Sequence, residues 1–144
     1  MEAIREFIDA YAFLSNFYHS PVKYGNLIYL NAEAAFQAQK ESYEKDKEQY
    51  TRMNPAQAKL VGRNCNLRED WEEIKEQTMY EIVKAKFTQN EALARLLLAT
   101  GDAYLEEGNW WHDTIWGVCN GVGQNKLGKI LMRVRKELDG GTWK

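Results

Sequence analysis

Residues 68–87, REDWEEIKEQTMYEIVKAKF, decide the fold class. Trp71, Ile74, Met79, Ile82, Val83 and Phe87 recur mostly three, four or five positions apart, the spacing of one buried helix face. Downstream, Glu91 to Thr100 reads as a Leu-rich helix stopped at Gly101. A last helix starts near Asn125, carries Leu127, Ile130, Leu131, Val134 and Leu138, and ends at Gly140-Gly141. Upstream, Asn54-Pro55 places a cap before a proline at the first helical position, and Gly62 is expected to close that short helix. Asn31 caps another helix, with Glu33 in its first turn, expected to run to about Ser42. Before it, Val22 to Leu30 sets Gly25-Asn26 between β-formers, a hairpin signal. The fold predicted is mainly α: a single compact multihelical domain over residues 1–144 with a small N-terminal β-hairpin.

A length of 144 residues suits one domain and is enough to bury a core. The formal net charge of −2 gives no broad cationic field for unspecific capture of nucleic acid, so any contact with it has to be local. Two cysteines, Cys65 and Cys119, and two histidines, His19 and His112, make neither a disulfide framework nor a Cys-rich zinc site. They also show no pairing in sequence that suggests a Cys/His nucleophile, and Cys65 is expected to be a buried apolar residue. No apolar run reaches a membrane span and residues 1–6 lack a leader pattern, so the expected location is the cytoplasm, with no membrane partner. Aromatic residues are abundant: Trp 5, Tyr 8, Phe 5. Trp110, Trp111 and Trp116 crowd a stretch with Gly108, Gly117, Gly121 and Gly123 that has no helical period.

Three places can carry chemistry. On the helix after Asn31, Glu33, Gln37 and Lys40 share one stripe opposite Ala34, Ala35 and Ala38. The small residues would lie against the core and turn the stripe outward into a cleft; a solvated face is the competing reading. Lys40 to Glu48 forms a solvated charge run. The second place is Asp113 to Gly117 with Gly121 to Asn125, glycines before a helix start, where free N–H groups favour anions. A flexible connection with tryptophans in the core is the alternative there. Gly123 to Lys129 matches a phosphate-loop spacing, but Ile130 stands where Ser or Thr would bind magnesium, and Gly128 reads as a close-packing position. The third is Phe13 to Tyr18, a core-anchored turn whose Ser15 and Asn16 side chains bond to backbone or ligand.

Phe13-Leu14-Ser15-Asn16-Phe17-Tyr18, Glu33 with Phe36-Gln37-Ala38-Gln39-Lys40, Asp70-Trp71 leading to Lys86-Phe87, Leu97 to Gly101, Asp113 with Trp116-Gly117, and Gly123 to Gly128 follow one another as in the NADAR family, which the chain resembles over nearly its whole length. The resemblance implies a mainly helical fold and hydrolysis of a ribose N-glycosidic bond without metal or cofactor. The substrate would be nucleotide-like: a ribosylamino-pyrimidine phosphate of early riboflavin biosynthesis, or ADP-ribosylated guanine within DNA or RNA. The competing class is a non-catalytic ADP-ribose or nucleotide-binding module.

Glu33 would stabilise charge at the anomeric carbon or activate water, and Asp113 would be the second acid/base or orient the ribose. Lys40 would hold phosphate or attack the anomeric carbon. Trp116 with Phe17 would stack on the base, and Asn125 with Gly117 and Gly123 would offer N–H groups to phosphate. Ser15, Asn16 and Gln37 complete the substrate-binding set. Two positions depart from the family, Ala34 where many relatives carry His and Val118 where riboflavin-type members carry Asp, which bears on substrate identity more than on reaction type. Trp110 and Trp111 are left between core and site.

Overall fold

The computed structural model describes residues 2–141, which group into two compact units. The middle unit is Asn16–Gln89. The terminal unit joins Met1–Ser15 to Asn90–Lys144. Among the described residues there are five α-helices and no sheet of more than two strands, the mainly α fold that the apolar spacing predicts. None of these helices is long and apolar enough to cross a membrane.

The middle unit opens with the hairpin β1 (His19–Tyr24) and β2 (Leu27–Asn31), paired antiparallel with Tyr24 opposite Leu27. Gly25 at φ +63° makes the tight turn that a side chain would resist. Val22 and Tyr29 point inward, each 1 % exposed. Strand β2 runs directly into α1 (Ala32–Ala38), where the Asn31 Oδ1 accepts the Ala34 N–H at 2.7 Å. Helix α2 (Pro55–Arg63) begins with a capping box: Asn54 accepts from the Gln57 N–H and the Gln57 side chain accepts from the Asn54 N–H. Helix α3 (Trp71–Thr88) buries Trp71, Met79, Ile82, Val83 and Phe87. The Gln89 side chain clamps the backbone of Lys23 through both its amide atoms at 2.8 Å, so the hairpin is pinned to the end of α3.

Two expectations are corrected here. Helix α1 stops at Ala38 instead of near Ser42, because Glu41 leaves it to bridge Leu67 and the Arg68 N–H binds the Lys40 carbonyl. Tertiary pairing outcompetes a further helical turn. Gly62 does not close α2. It lies buried in the last turn, where an added Cβ would collide with the Gln37 Oε1, so its job is to let α2 approach α1.

In the terminal unit, α4 (Glu91–Ala99) is capped by Asn90 and α5 (Lys126–Asp139) buries Leu127, Ile130, Leu131, Val134 and Leu138. Two short strands, β3 (Gly108–Asn109) and β4 (Val118–Cys119), pair in parallel between them in the chain. Gly128 does sit at a close approach, with the Leu105 carbonyl oxygen where a Cβ would be. Alanine at this position would gain roughly 1 kcal/mol of helix propensity, but overpacking against backbone typically costs about 1–3 kcal/mol or more. Gly128→Ala is therefore expected to lower the urea midpoint, and an unchanged or higher midpoint would show that the contact gives way freely.

Candidate active site

All seven residues of α1 are buried. Ala34, Ala35 and Ala38 are 0 % exposed, as the small-residue face requires, but Glu33 at 9 % and Gln37 at 5 % are buried too. Of the stripe, Glu33 and Gln37 are buried and Lys40 is half-buried, so it is not a solvated face. The Gln37 Nε2 donates to Glu33 Oε2 at 2.6 Å, and the Glu33 N–H donates to the Asn16 carbonyl at 3.0 Å. Asn16 is itself buried, its Nδ2 against the Met79 sulfur at 3.3 Å. The Gln37 Oε1 has no protein hydrogen-bond partner and lies against Gly62.

Lys40 stands just past the helix, half-buried, its Nζ 5.9 Å from the Trp71 ring, which in turn packs on Phe36 at 5.0 Å. Burial draws its pKa down from the ordinary lysine value; Glu33 opposes this, while Arg63 and Lys59 add to it. Phe17, 47 % exposed, lies under the Lys59 Nζ at 5.9 Å. Glu33, Gln37, Lys40, Asn16 and Phe17 thus gather in the middle unit, with Lys59 and Arg63 as cations that sequence reading passed over. The charge run after Lys40 is only partly solvated: Glu41 is 6 % and Lys47 8 % exposed, and the Tyr50 hydroxyl donates to Glu41 at 2.6 Å.

Ser15, half-buried at the end of the 3-10 turn Asp9–Leu14, belongs to the terminal unit. There the Asp113 side chain accepts from the Ile115 and Trp116 N–H groups at 3.1 and 2.9 Å. Asn109 bonds the Asp113 backbone through both its amide atoms, closing the loop. Asn125, at φ +53° and 2 % exposed, accepts from the Glu107 N–H and donates to the Leu105 carbonyl and the Tyr104 hydroxyl. Of the N–H groups expected to meet phosphate, that of Asn125 is engaged: Asn125 donates to the Gly117 carbonyl, and the next two residues, Lys126 and Leu127, donate to the Ile115 and Trp116 carbonyls. The anion-cradle reading of Asn125 is thereby corrected. Gly117 and Gly123 are close-approach positions, the first against Glu107 and the second against the Gly117 carbonyl. Trp116 is half-buried, Trp111 and Trp110 are exposed, and the last two meet edge to face at 5.6 Å.

Cys65 is not the buried residue expected. Cys119 is buried, Cys65 only partly, and Cys119 Sγ lies 3.9 Å from His112 Nδ1, a pairing invisible at a separation of seven residues. Among the described residues no three His, Cys, Asp or Glu side chains gather to hold a metal. Lys86 is the further residue that sequence reading left as a mere member of a block. It is 2 % exposed on the Met79–Ile82–Val83 face of α3, and burial pushes its pKa down to about 7. The signal was a lysine on an apolar stripe.

Below about pH 7 the folded state carries the full cost of a buried ammonium at Lys86, and as pH rises toward the ordinary lysine range that cost is relieved. Stability relative to a Lys86→Met variant should therefore increase with pH above about 7. Parallel pH–stability curves for the two proteins would show that the amine is not held neutral.

The NADAR domain family model matches residues 5–139. N-glycosidase YbiA of Shigella boydii serotype 4 (strain Sb227) is 42 % identical over 134 residues, covering 90 % of this chain and 83 % of that protein. A riboflavin biosynthesis protein of Vibrio vulnificus (strain YJ016) is 39 % identical over 90 % of this chain and 36 % of its own. The NMR structure of the E. coli protein YbiA superposes with a TM-score of 0.84 at 38 % identity, covering 96 % of this chain and 87 % of that one.

Proposed function

The chain belongs to the NADAR domain family, and from that membership we propose that it is an N-glycosidase, hydrolysing the bond between a ribose anomeric carbon and a base nitrogen in a nucleotide-like substrate. At residue level the reading is carried by one observation: a buried carboxylate, Glu33, held by the Gln37 amide at 2.6 Å. As the base departs, the bonding pair moves onto nitrogen and positive charge grows at the anomeric carbon. A fixed carboxylate out of water stabilises that charge far better than one in bulk solvent. The same group accepts a proton from the attacking water, while the leaving nitrogen takes one up.

Lys40 has two roles that a measurement separates. As a cation it holds a substrate phosphate; as the neutral amine that burial favours, it attacks the anomeric carbon, expels the base, loses a proton and forms an imine once the ribose ring opens. Borohydride reduction followed by peptide mapping finds a mass increment at Lys40 for the imine and none for phosphate binding. Phe17, exposed beside Asn16, is a surface for stacking a base. In the terminal unit Asp113 and Trp116 carry the family's late loop, and Asp113 is distinguished by its variants. Asp113→Asn keeps the acceptor that holds the loop and Asp113→Ala does not, so a loss of activity in both marks a catalytic carboxylate.

Of the two substrate groups, relatives named as riboflavin biosynthesis proteins favour the small ribosylamino-pyrimidine phosphates. ADP-ribosylated guanine in DNA or RNA is the second. A cytoplasmic setting accords with the free thiols Cys65 and Cys119, which stay reduced there, and cell fractionation checks it. The purified chain should release free base, seen by mass spectrometry, fastest from the pyrimidine substrate when NAD and an ADP-ribosylated guanosine oligonucleotide are compared with it. Glu33→Gln should lose on the order of 10²–10⁴ in kcat. Undiminished release by Glu33→Gln removes Glu33 from the mechanism, and binding without release in the wild type points to a nucleotide-binding module.

A further inference from the structure

A lysine that is 2 % exposed on a helix face otherwise made of Met79, Ile82 and Val83 is a cost to the fold. Methionine there would keep the packing without the charge. What distinguishes Lys86 is its neighbour across the face. Its Nζ lies 5.8 Å from the Tyr18 ring, and Tyr18 follows Asn16 and Phe17 in one short segment. The other end of that segment touches the same face of α3, through Asn16 Nδ2 on the Met79 sulfur at 3.3 Å. Residues 79 and 86 are two helical turns apart, about 10 Å along the axis, so the segment lies along α3 between two contacts. From its first residue, the Asn16 carbonyl accepts the Glu33 N–H at 3.0 Å and thereby fixes the start of α1.

We propose that Lys86 is a positioning residue for the reaction: its amine anchors the Asn16–Tyr18 segment on α3 and so sets where Phe17 and the Glu33 end of α1 stand. The link to catalysis rests on the N-glycosidase reading; the anchoring does not. A stabilising role for the amine would make its loss cost stability. A positioning role makes its loss cost geometry at the Glu33 end of α1 while the interior of α3 stays as protected as before.

The experiment uses the full chain and Lys86→Met. Amide hydrogen exchange followed by NMR should show the Glu33 N–H exchanging at least about tenfold faster in the variant, with the Ile82 N–H of the helix interior unchanged. On whichever ribosylated substrate the wild type cleaves, kcat should fall about tenfold or more while KM moves less than about threefold, the pattern of lost geometry in the transition state. Unchanged Glu33 exchange, or a kcat within about twofold of wild type, overturns the proposal. Should Lys86→Met not fold, Tyr18→Leu removes the exposed ring from the amine, with faster Glu33 exchange expected and unchanged exchange overturning. A wild type that releases no base defeats the N-glycosidase reading instead, and the exchange data still decide whether Lys86 anchors the segment.

Discussion

A carboxylate held almost entirely out of water is the constraint around which the middle unit is arranged. Glu33 cannot be buried charged unless donors and positive charge replace its hydration. The Gln37 amide supplies the donor at 2.6 Å, and Lys40 supplies the charge that Glu33 in turn holds up against the effect of burial. For the helix to sink that far its other side has to be small, and Ala34, Ala35 and Ala38 are fully buried. The neighbouring helix then has to come close without a side chain in the way, which is why position 62 is glycine. One buried carboxyl group thus accounts for an amide, three alanines and a glycine drawn from two helices and a lysine just past the first of them.

The same arrangement sets opposing influences on Lys40. Lys40 is drawn down by burial and by the proximity of Arg63 and Lys59, and raised by Glu33. Its charge state depends on what the site holds. An arriving phosphate would favour the ammonium and an arriving electrophile would use the amine. Lys59, half-buried above the Phe17 ring, places a further cation near an aromatic surface left open to solvent.

What was legible in the sequence is what is decided within a few residues. The Asn31 cap, the Asn54 cap before Pro55, the Gly25 turn and the apolar stripe of α3 are local devices, and each is present in the structure, with Ile74 of the stripe only half-buried. What was not legible depends on pairing between distant residues. The end of α1 is set by Glu41 bridging Leu67, and no propensity at residues 39–42 announces it. Gly62 looks like a helix stop until the Gln37 side chain is placed against it. Spacing on a helical wheel put Glu33, Gln37 and Lys40 on one stripe but did not show how deeply Glu33 and Gln37 are buried, because small residues mark the side that is most tightly packed without saying how far the other side is open.

The loop before α5 shows the same limit from the opposite direction. Glycines preceding a helix suggest unsatisfied N–H groups available to an anion. In this chain the loop supplies its own acceptors, since the carbonyls of Gly117, Ile115 and Trp116 take the N–H groups of Asn125, Lys126 and Leu127. Asp113 makes this possible by holding the Ile115 and Trp116 N–H groups on its side chain, which curves the strip of backbone so that its carbonyls face the helix start. The carboxylate that motif reading would assign directly to chemistry is thus first a structural staple, and any catalytic work it does has to be done with the oxygen that the staple leaves over.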